Sequence, residues 1–155
     1  MKSRHACTIL LLMSIPAMSV VAAETIRFAT FNTSLNRNKA GALQEELEGG
    51  NSVQARKIAQ ILQRVRPDVV LLNEVDYDSS GKTVQLFRQQ YLEVSQGNQP
   101  PLHYQHTFLA PVNTGIPSGI DLDRNGETGQ PGDAFGFERF PGQYGMLVLS
   151  RYPID

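Results

Sequence analysis

The chain has 155 residues, 41% of them hydrophobic, with 14 Lys plus Arg against 15 Asp plus Glu and one Cys. This balance excludes a disordered polyelectrolyte and gives no broad basic face for sequence-independent binding to nucleic acid. A lone cysteine excludes an intramolecular disulfide, so stability must come from a packed core.

Lys2, Arg4 and His5 precede an apolar stretch from Ile9 to Val21 that is interrupted by Ser14, Pro16 and Ser19. It is shorter than the roughly 20 continuous apolar residues of a membrane-spanning helix. Val21 and Ala23 suit cleavage after Ala23, so residues 1–23 read as a secretory signal peptide. Cys7 stands near the start of the apolar run, the wrong place for lipidation. The expectation is an exported protein, periplasmic or extracellular, with no stable membrane anchor. Cleavage removes Lys2 and Arg4 from the 14 basic side chains and leaves 12 against 15 acidic ones. The mature chain, residues 24–155, is mildly acidic and of a size for one domain.

Ile26 to Phe31 alternates in the manner of a strand and stops at the polar group Asn32, Thr33 and Ser34. Residues 36–51 mix charges with Gly41, Gly49 and Gly50. Ser52 then precedes Ile58, Ile61, Leu62 and Val65, whose i, i+3, i+4, i+7 spacing predicts one apolar stripe on a helix. Pro67 disfavours helical geometry at Arg66 and ends it there. The run Val69, Val70, Leu71, Leu72 predicts a strand buried on both faces. Two strands joined through a helix are parallel, so Asn32, Asn73 and Glu74 should emerge at one sheet edge, where open α/β sheets place ligands.

Val84, Phe87, Tyr91 and Val94 predict a second helix over Thr83–Val94, and Tyr104–Ala110 predicts a strand. His103 and His106 are three apart, which puts them on opposite faces of that strand and gives them no shared pocket. Between Pro111 and Gly142, 11 of 32 residues are Gly or Pro, which predicts a long functional loop. Within it Asp121, Asp123, Asn125 and Gly126 form the start of a D-x-D-x-N-G calcium pattern. Gly132 stands where the bidentate Glu of an EF-hand belongs, with Asp133 one place late. Two readings stay open: a looser structural Ca2+ site involving Asp121, Asp123 and Asp133, or a solvated loop of Asx turns. A strand pattern returns at Tyr144–Ser150.

Three segments in order, Phe28-Ala29-Thr30-Phe31-Asn32, Arg66-Pro67-Asp68-Val69-Val70-Leu71-Leu72-Asn73-Glu74, and Tyr144 through Ile154, resemble the endonuclease/exonuclease/phosphatase family, with its fold of pancreatic deoxyribonuclease type. The Gly/Pro-rich segment, about 111–142, resembles the insertion of a bacterial exported subgroup. The resemblance implies an α/β fold, a four-layer αββα sandwich, of which residues 24–155 hold the N-terminal half. It implies hydrolysis of a phosphate ester with Mg2+ or Mn2+, acting on nucleic acid, inositol phosphate, lipid head group or another ester, by a protein that is a monomer when complete. By resemblance Glu74 is the metal-binding carboxylate and Asn32 the strand-end amide beside metal or phosphate. Tyr144 matches a phenol that faces the phosphate, and Arg151 is a weaker candidate for a phosphate contact. Asn73 stands where the family commonly has Gln.

The family finishes its site with a Gly-Asp-x-Asn stretch after the third motif and a terminal Asp-His pair, and neither occurs in residues 1–155. The expectation is a truncated and catalytically incomplete copy. The alternative is a secreted calcium-binding or structural module without catalysis, in which Glu74 is a turn residue.

Overall fold

Pro67 and the apolar stripe before it set the first crossover. In the computed structural model, which describes residues 24–155, that stripe forms a helix over Val53–Val65. The expected signal peptide lies outside the described residues. Strand β1 covers Phe28–Leu35 and helix α1 Ala42–Glu48. Helix α2 is Val53–Val65, and strand β2 is Val69–Val75. Helix α3, Lys82–Phe87, continues as a π-helical turn over Arg88–Leu92. Strand β3 is His106–Leu109 and strand β4 Gly145–Ser150, with a 3-10 turn at Pro131–Asp133 between them.

Ser52 caps α2: its Oγ accepts from the Ala55 N–H at 3.2 Å, satisfying one of the orphan donors of the first turn. Arg66 ends the helix in left-handed geometry at φ 51°, with its N–H on the Leu62 carbonyl. The buried stripe is Ala55, Ile58, Ala59 and Leu62, whereas Ile61 and Val65 are exposed. The helical spacing is as expected, but the face is rotated, so that Ala55 and Ala59 take the buried places expected of Ile61 and Val65.

The sheet order is β1-β2-β4-β3. β1 and β2 are parallel, with Phe28 opposite Val69 and Asn32 opposite Asn73. β4 runs antiparallel to both β2 and β3. Thr33, Leu35, Val70, Leu72, Leu147 and Leu149 alternate onto one face and are buried beneath the helices with Leu43, Leu47, Phe87 and Tyr91. Phe28, Phe108 and Met146 alternate onto the other face and are exposed.

Three sequence expectations are corrected. β2 is not buried on both faces: Val70 and Leu72 are buried, but Val69 and Leu71 are only partly covered on the open side. β1 does not stop at Asn32; it runs through the polar group to Leu35, because Thr33 and Leu35 continue the buried alternation. Residues 36–51, read only as charges mixed with glycines, carry the short helix α1, with Leu43 and Leu47 buried on one side. The result is a mixed α/β unit with helices on one face of a four-stranded sheet. Among the described residues no second sheet covers the other face. No described helix is long and apolar enough to cross a membrane.

Candidate active site

Parallel pairing brings the ends of β1 and β2 to one edge, and there both strands depart from regular geometry. The register shifts between Asn32 and Leu35 on β1, and between Asn73 and Val75 on β2. Ser34 at φ 49° and Glu74 at φ 59° take left-handed conformations that are costly for residues with a Cβ. Such an irregularity re-aims a side chain at the rim of a sheet. Here it lets Glu74 meet Asn32, whose Nδ2 donates to Glu74 Oε1 at 2.7 Å. Asn32 is fixed in turn, its Oδ1 accepting from the Ser34 N–H at 3.1 Å.

A second amide, Asn36, donates through Nδ2 to Glu74 Oε2 at 3.2 Å. Asn36 follows the end of β1, and nothing in the sequence pattern points to it beyond its place four residues after Asn32. Both oxygens of the Glu74 carboxylate are thus held by neutral donors, which orient it without cancelling its charge.

Two residues beyond Glu74, Asp76 is buried. Its Oδ2 accepts from the Arg37 N–H at 2.7 Å and its Oδ1 from the Tyr144 N–H at 3.4 Å. Burial pushes its carboxyl up to about 6, against the opposing pull of those two bonds and the Arg37 charge. Glu138, reaching in from the β3–β4 connection, is also raised, first by burial and then by the charges of Asp76 and Glu74. Among the described residues none of these three carboxylates forms an ion pair. The edge therefore gathers negative charge with no cationic side chain paired to it.

Tyr144 enters β4 at this same edge. Its backbone is left-handed at φ 56°. The next residue must be glycine, because a Cβ on Gly145 would stand 2.8 Å from the Val75 carbonyl oxygen. Asn32, Glu74 and Tyr144 are therefore gathered at one end of the sheet, the first two in direct contact and Tyr144 joined through Asp76.

Comparison with known proteins bears on this arrangement. The model of the Endonuclease/Exonuclease/phosphatase family matches residues 29–155. The chain belongs to that family. A solved structure, an endonuclease/exonuclease/phosphatase from Beutenbergia cavernae DSM 12333, is similar at 18% identity over 83% of this chain and 26% of that one, with a TM-score of 0.34. The chain spans about a quarter of that protein's length. No curated protein gives a significant match. Members of the family are phosphoesterase- or nuclease-type hydrolases that typically depend on divalent metal, and the mixed α/β sheet with helices on one face is consistent with the family fold.

Arg151 is not brought to the Glu74 edge. β4 is antiparallel to β2, so Ser150 lies opposite Val69 at the start of that strand. Arg151 pairs there with Asp68, its guanidinium Nη1 2.9 Å from Oδ1. The Asp68 carboxyl is held below its ordinary value, first by the Arg27 backbone N–H and then by Arg151. The sequence gives Arg151 no direction; only strand antiparallelism does. His103 and His106 are not at the Glu74 edge either; His103 Nδ1 lies 3.9 Å from Glu93.

The β3–β4 connection is irregular but tied down. Phe135 N–H donates to Ile116 O, Gly142 N–H to Thr114 O, and Ser118 N–H to Asp133 O. Asp121, Asp123 and Asp133 each offer a carboxylate oxygen, all within 4.8 Å of one another, so that they could hold a metal ion. Asn125 does not offer its side chain in the same way: its N–H bonds Asp121 and Asp123, and its Oδ1 accepts from Glu127 N. Asp133, 1% exposed, takes the third place, its oxygens accepting from Leu122 N and Gln130 N.

Proposed function

We propose that the Glu74 edge is the metal-carboxylate part of a phosphoesterase site, and that the chain is part of a divalent-metal-dependent hydrolase of phosphate esters. The observation that carries this reading is the Glu74 carboxylate, turned by a left-handed residue at the strand end and gripped by Asn32 and Asn36. The donor set suits a hard cation such as Mg2+ or Mn2+. Mg2+ is satisfied by one or two carboxylates with waters and substrate oxygens, and the unpaired charge of Glu74, Asp76 and Glu138 favours a cation here. Glu74 would hold the ion, with Asn32 beside it. When bound, such an ion polarises the phosphoryl group and offsets charge on the leaving oxygen.

The chain's own residues do the rest of what this edge offers. Asn32 and Asn36 keep the Glu74 carboxylate in one orientation. Tyr144 brings a phenol to the same end of the sheet, where its hydroxyl would donate to a phosphate oxygen. The test is binding of inorganic phosphate with and without Mg2+. Mg2+-dependent binding that disappears in Glu74→Ala supports the reading, and phosphate binding indifferent to both Mg2+ and Glu74 contradicts it.

The acidic cluster at Asp121, Asp123 and Asp133 supports a second cation, Ca2+, ordering the insertion. Family membership does not favour a non-catalytic calcium module, and a structural Ca2+ is compatible with a hydrolase. Ca2+ should raise the melting temperature in Glu74→Ala but not in Asp121→Ala. The N-terminal sequence supports export to the periplasm or exterior. Retention of residues 1–23 in protein recovered from an exporting host would contradict it.

A further inference from the structure

Two buried polar side chains at the active edge make bonds that the chemistry above does not use. Gln143 is 1% exposed and Asp76 is 7% exposed. Both act on the backbone of one residue, Arg37. Asp76 accepts from the Arg37 N–H at 2.7 Å, and Gln143 Nε2 donates to the Arg37 carbonyl at 2.6 Å. One comes from the end of β2 and the other from just before β4, so residue 37 is gripped at both its amide and its carbonyl. Its side chain is fixed as well: the guanidinium bonds both Glu46 oxygens, at 2.6 and 2.7 Å, and Gln54 Oε1 at 3.2 Å.

Asn36 directly precedes this clamped residue, and Asn36 is the donor on Glu74 Oε2. Asn36 lies beyond the end of β1, where no ladder bond fixes it. Its aim depends on what holds Arg37. Burying an amide and a carboxylate costs free energy unless each is hydrogen-bonded, and here the bonds are spent on a loop backbone rather than on the sheet.

We propose that Asp76 and Gln143 are positioning residues for the metal site, gripping the peptide groups on either side of residue 37 and so holding Asn36 on the Glu74 carboxylate. This rests on the reading of Glu74 as a metal ligand. It has a consequence for the insertion too. Gln143 Oε1 accepts from the Arg139 N–H at 3.0 Å, so the segment carrying Glu138 hangs from the same amide. A rearrangement of the β3–β4 connection is thereby transmitted to Asn36 and Glu74 through Gln143.

The experiment is a double-mutant cycle on Mn2+ affinity, read by the electron paramagnetic resonance of free Mn2+, for the chain, Asn36→Ala, Gln143→Leu and the double variant. Partners that orient a metal ligand typically contribute 10- to 100-fold in affinity. Each single substitution should weaken Mn2+ binding roughly 10-fold or more. Because Gln143 acts through Asn36, the double variant should lose little beyond the larger single loss. Multiplied losses in the double variant, or unchanged affinity in Gln143→Leu, would overturn the proposal. If Gln143→Leu does not fold, the unsubstituted chain decides by NMR. The Asn36 side-chain amide should be protected from exchange and broadened by Mn2+, and a freely exchanging, unbroadened amide overturns the proposal. Absence of Mn2+ binding to the unsubstituted chain overturns the metal reading and this one with it. Normal Mn2+ binding that Glu74→Gln abolishes, with no effect of Gln143→Leu, overturns this one alone.

Discussion

At Glu74 three features coincide: a left-handed backbone, a strand-end irregularity and two amide donors on the carboxylate. A turn residue can share the left-handed backbone, but not two amides closing on both oxygens of its carboxylate. Asn32→Ala should leave stability nearly unchanged, since its bond to Glu74 is exposed, yet lower Mg2+ affinity roughly 10- to 100-fold. A calorimetric Mg2+ titration beside a thermal melt separates the two effects. Asp76 gives a pH signature. Its folded-state value of about 6 lies above the ordinary 3.8, so the folded chain binds its proton more tightly than the unfolded chain. The sign follows: stability falls as pH rises from about 4 to about 6, by up to about 3 kcal/mol for a shift of roughly two units. Denaturant melts in the presence of a chelator should show this slope in the unsubstituted chain and a flatter profile in Asp76→Asn. A stability that rises over the same window would contradict the assignment. The shared position of Asn32 and Glu74 was legible in the sequence because strand ends joined by a helical crossover share an edge. Asn36, Asp76 and Gln143 were not, because what places them is a side chain to side chain bond across 38 positions of sequence and side chain to backbone bonds across 39 and 106.

The elements differ in how far periodicity reveals them. α2 carries a cap, an apolar stripe over several turns and a proline stop, and its limits follow from those signals. α1 has only seven residues and a left-handed Gly41 before it, so its two buried leucines, Leu43 and Leu47, are too few to set a pattern. The Thr83–Val94 helix was visible as a stripe, but its change from α to π geometry at Arg88 was not. Ser52 shows how elements are joined. Its Oγ caps α2 and also donates to Glu46 at 2.5 Å, while its N–H meets the Tyr91 hydroxyl at 3.2 Å. Glu46 is held below its ordinary carboxyl value chiefly by the Arg37 side chain. Ser52→Ala should therefore cost at least the usual cap contribution of about 1 kcal/mol, seen as a lower denaturant midpoint with unchanged slope. A midpoint equal to that of the unsubstituted chain would remove Ser52 from the account. Gly145→Ala should be more damaging, because its Cβ would press on the β2 backbone rather than on a flexible side chain.

Across the whole molecule, one sheet face is covered and one is open. The covered face holds the core, while Phe28, Phe108 and Met146 stand exposed at 71%, 55% and 49% on the other. Open apolar area of this kind promotes association. Residues 24–155 on their own should sediment as concentration-dependent oligomers, and Phe28→Ser with Phe108→Ser should shift them toward monomer. A chain that stays monomeric at high concentration would count against an unsatisfied face. The fold class and the parallel β1–β2 pair were readable from crossover logic, and the family from three strand-end motifs. The sheet order, with β4 inserted between β2 and β3, was not, because no local pattern records which edge a returning strand takes. The antiparallel run of β4 beside β2 then decides the fate of Arg151, carrying it to the end of the sheet away from Glu74. The central claim, that the Glu74 edge binds a divalent metal, is tested most directly by titrating Mg2+ calorimetrically into residues 24–155 and into Glu74→Gln. The account predicts saturable binding to the first that is lost in the second; equal Mg2+ binding by both, or binding by neither, would contradict it.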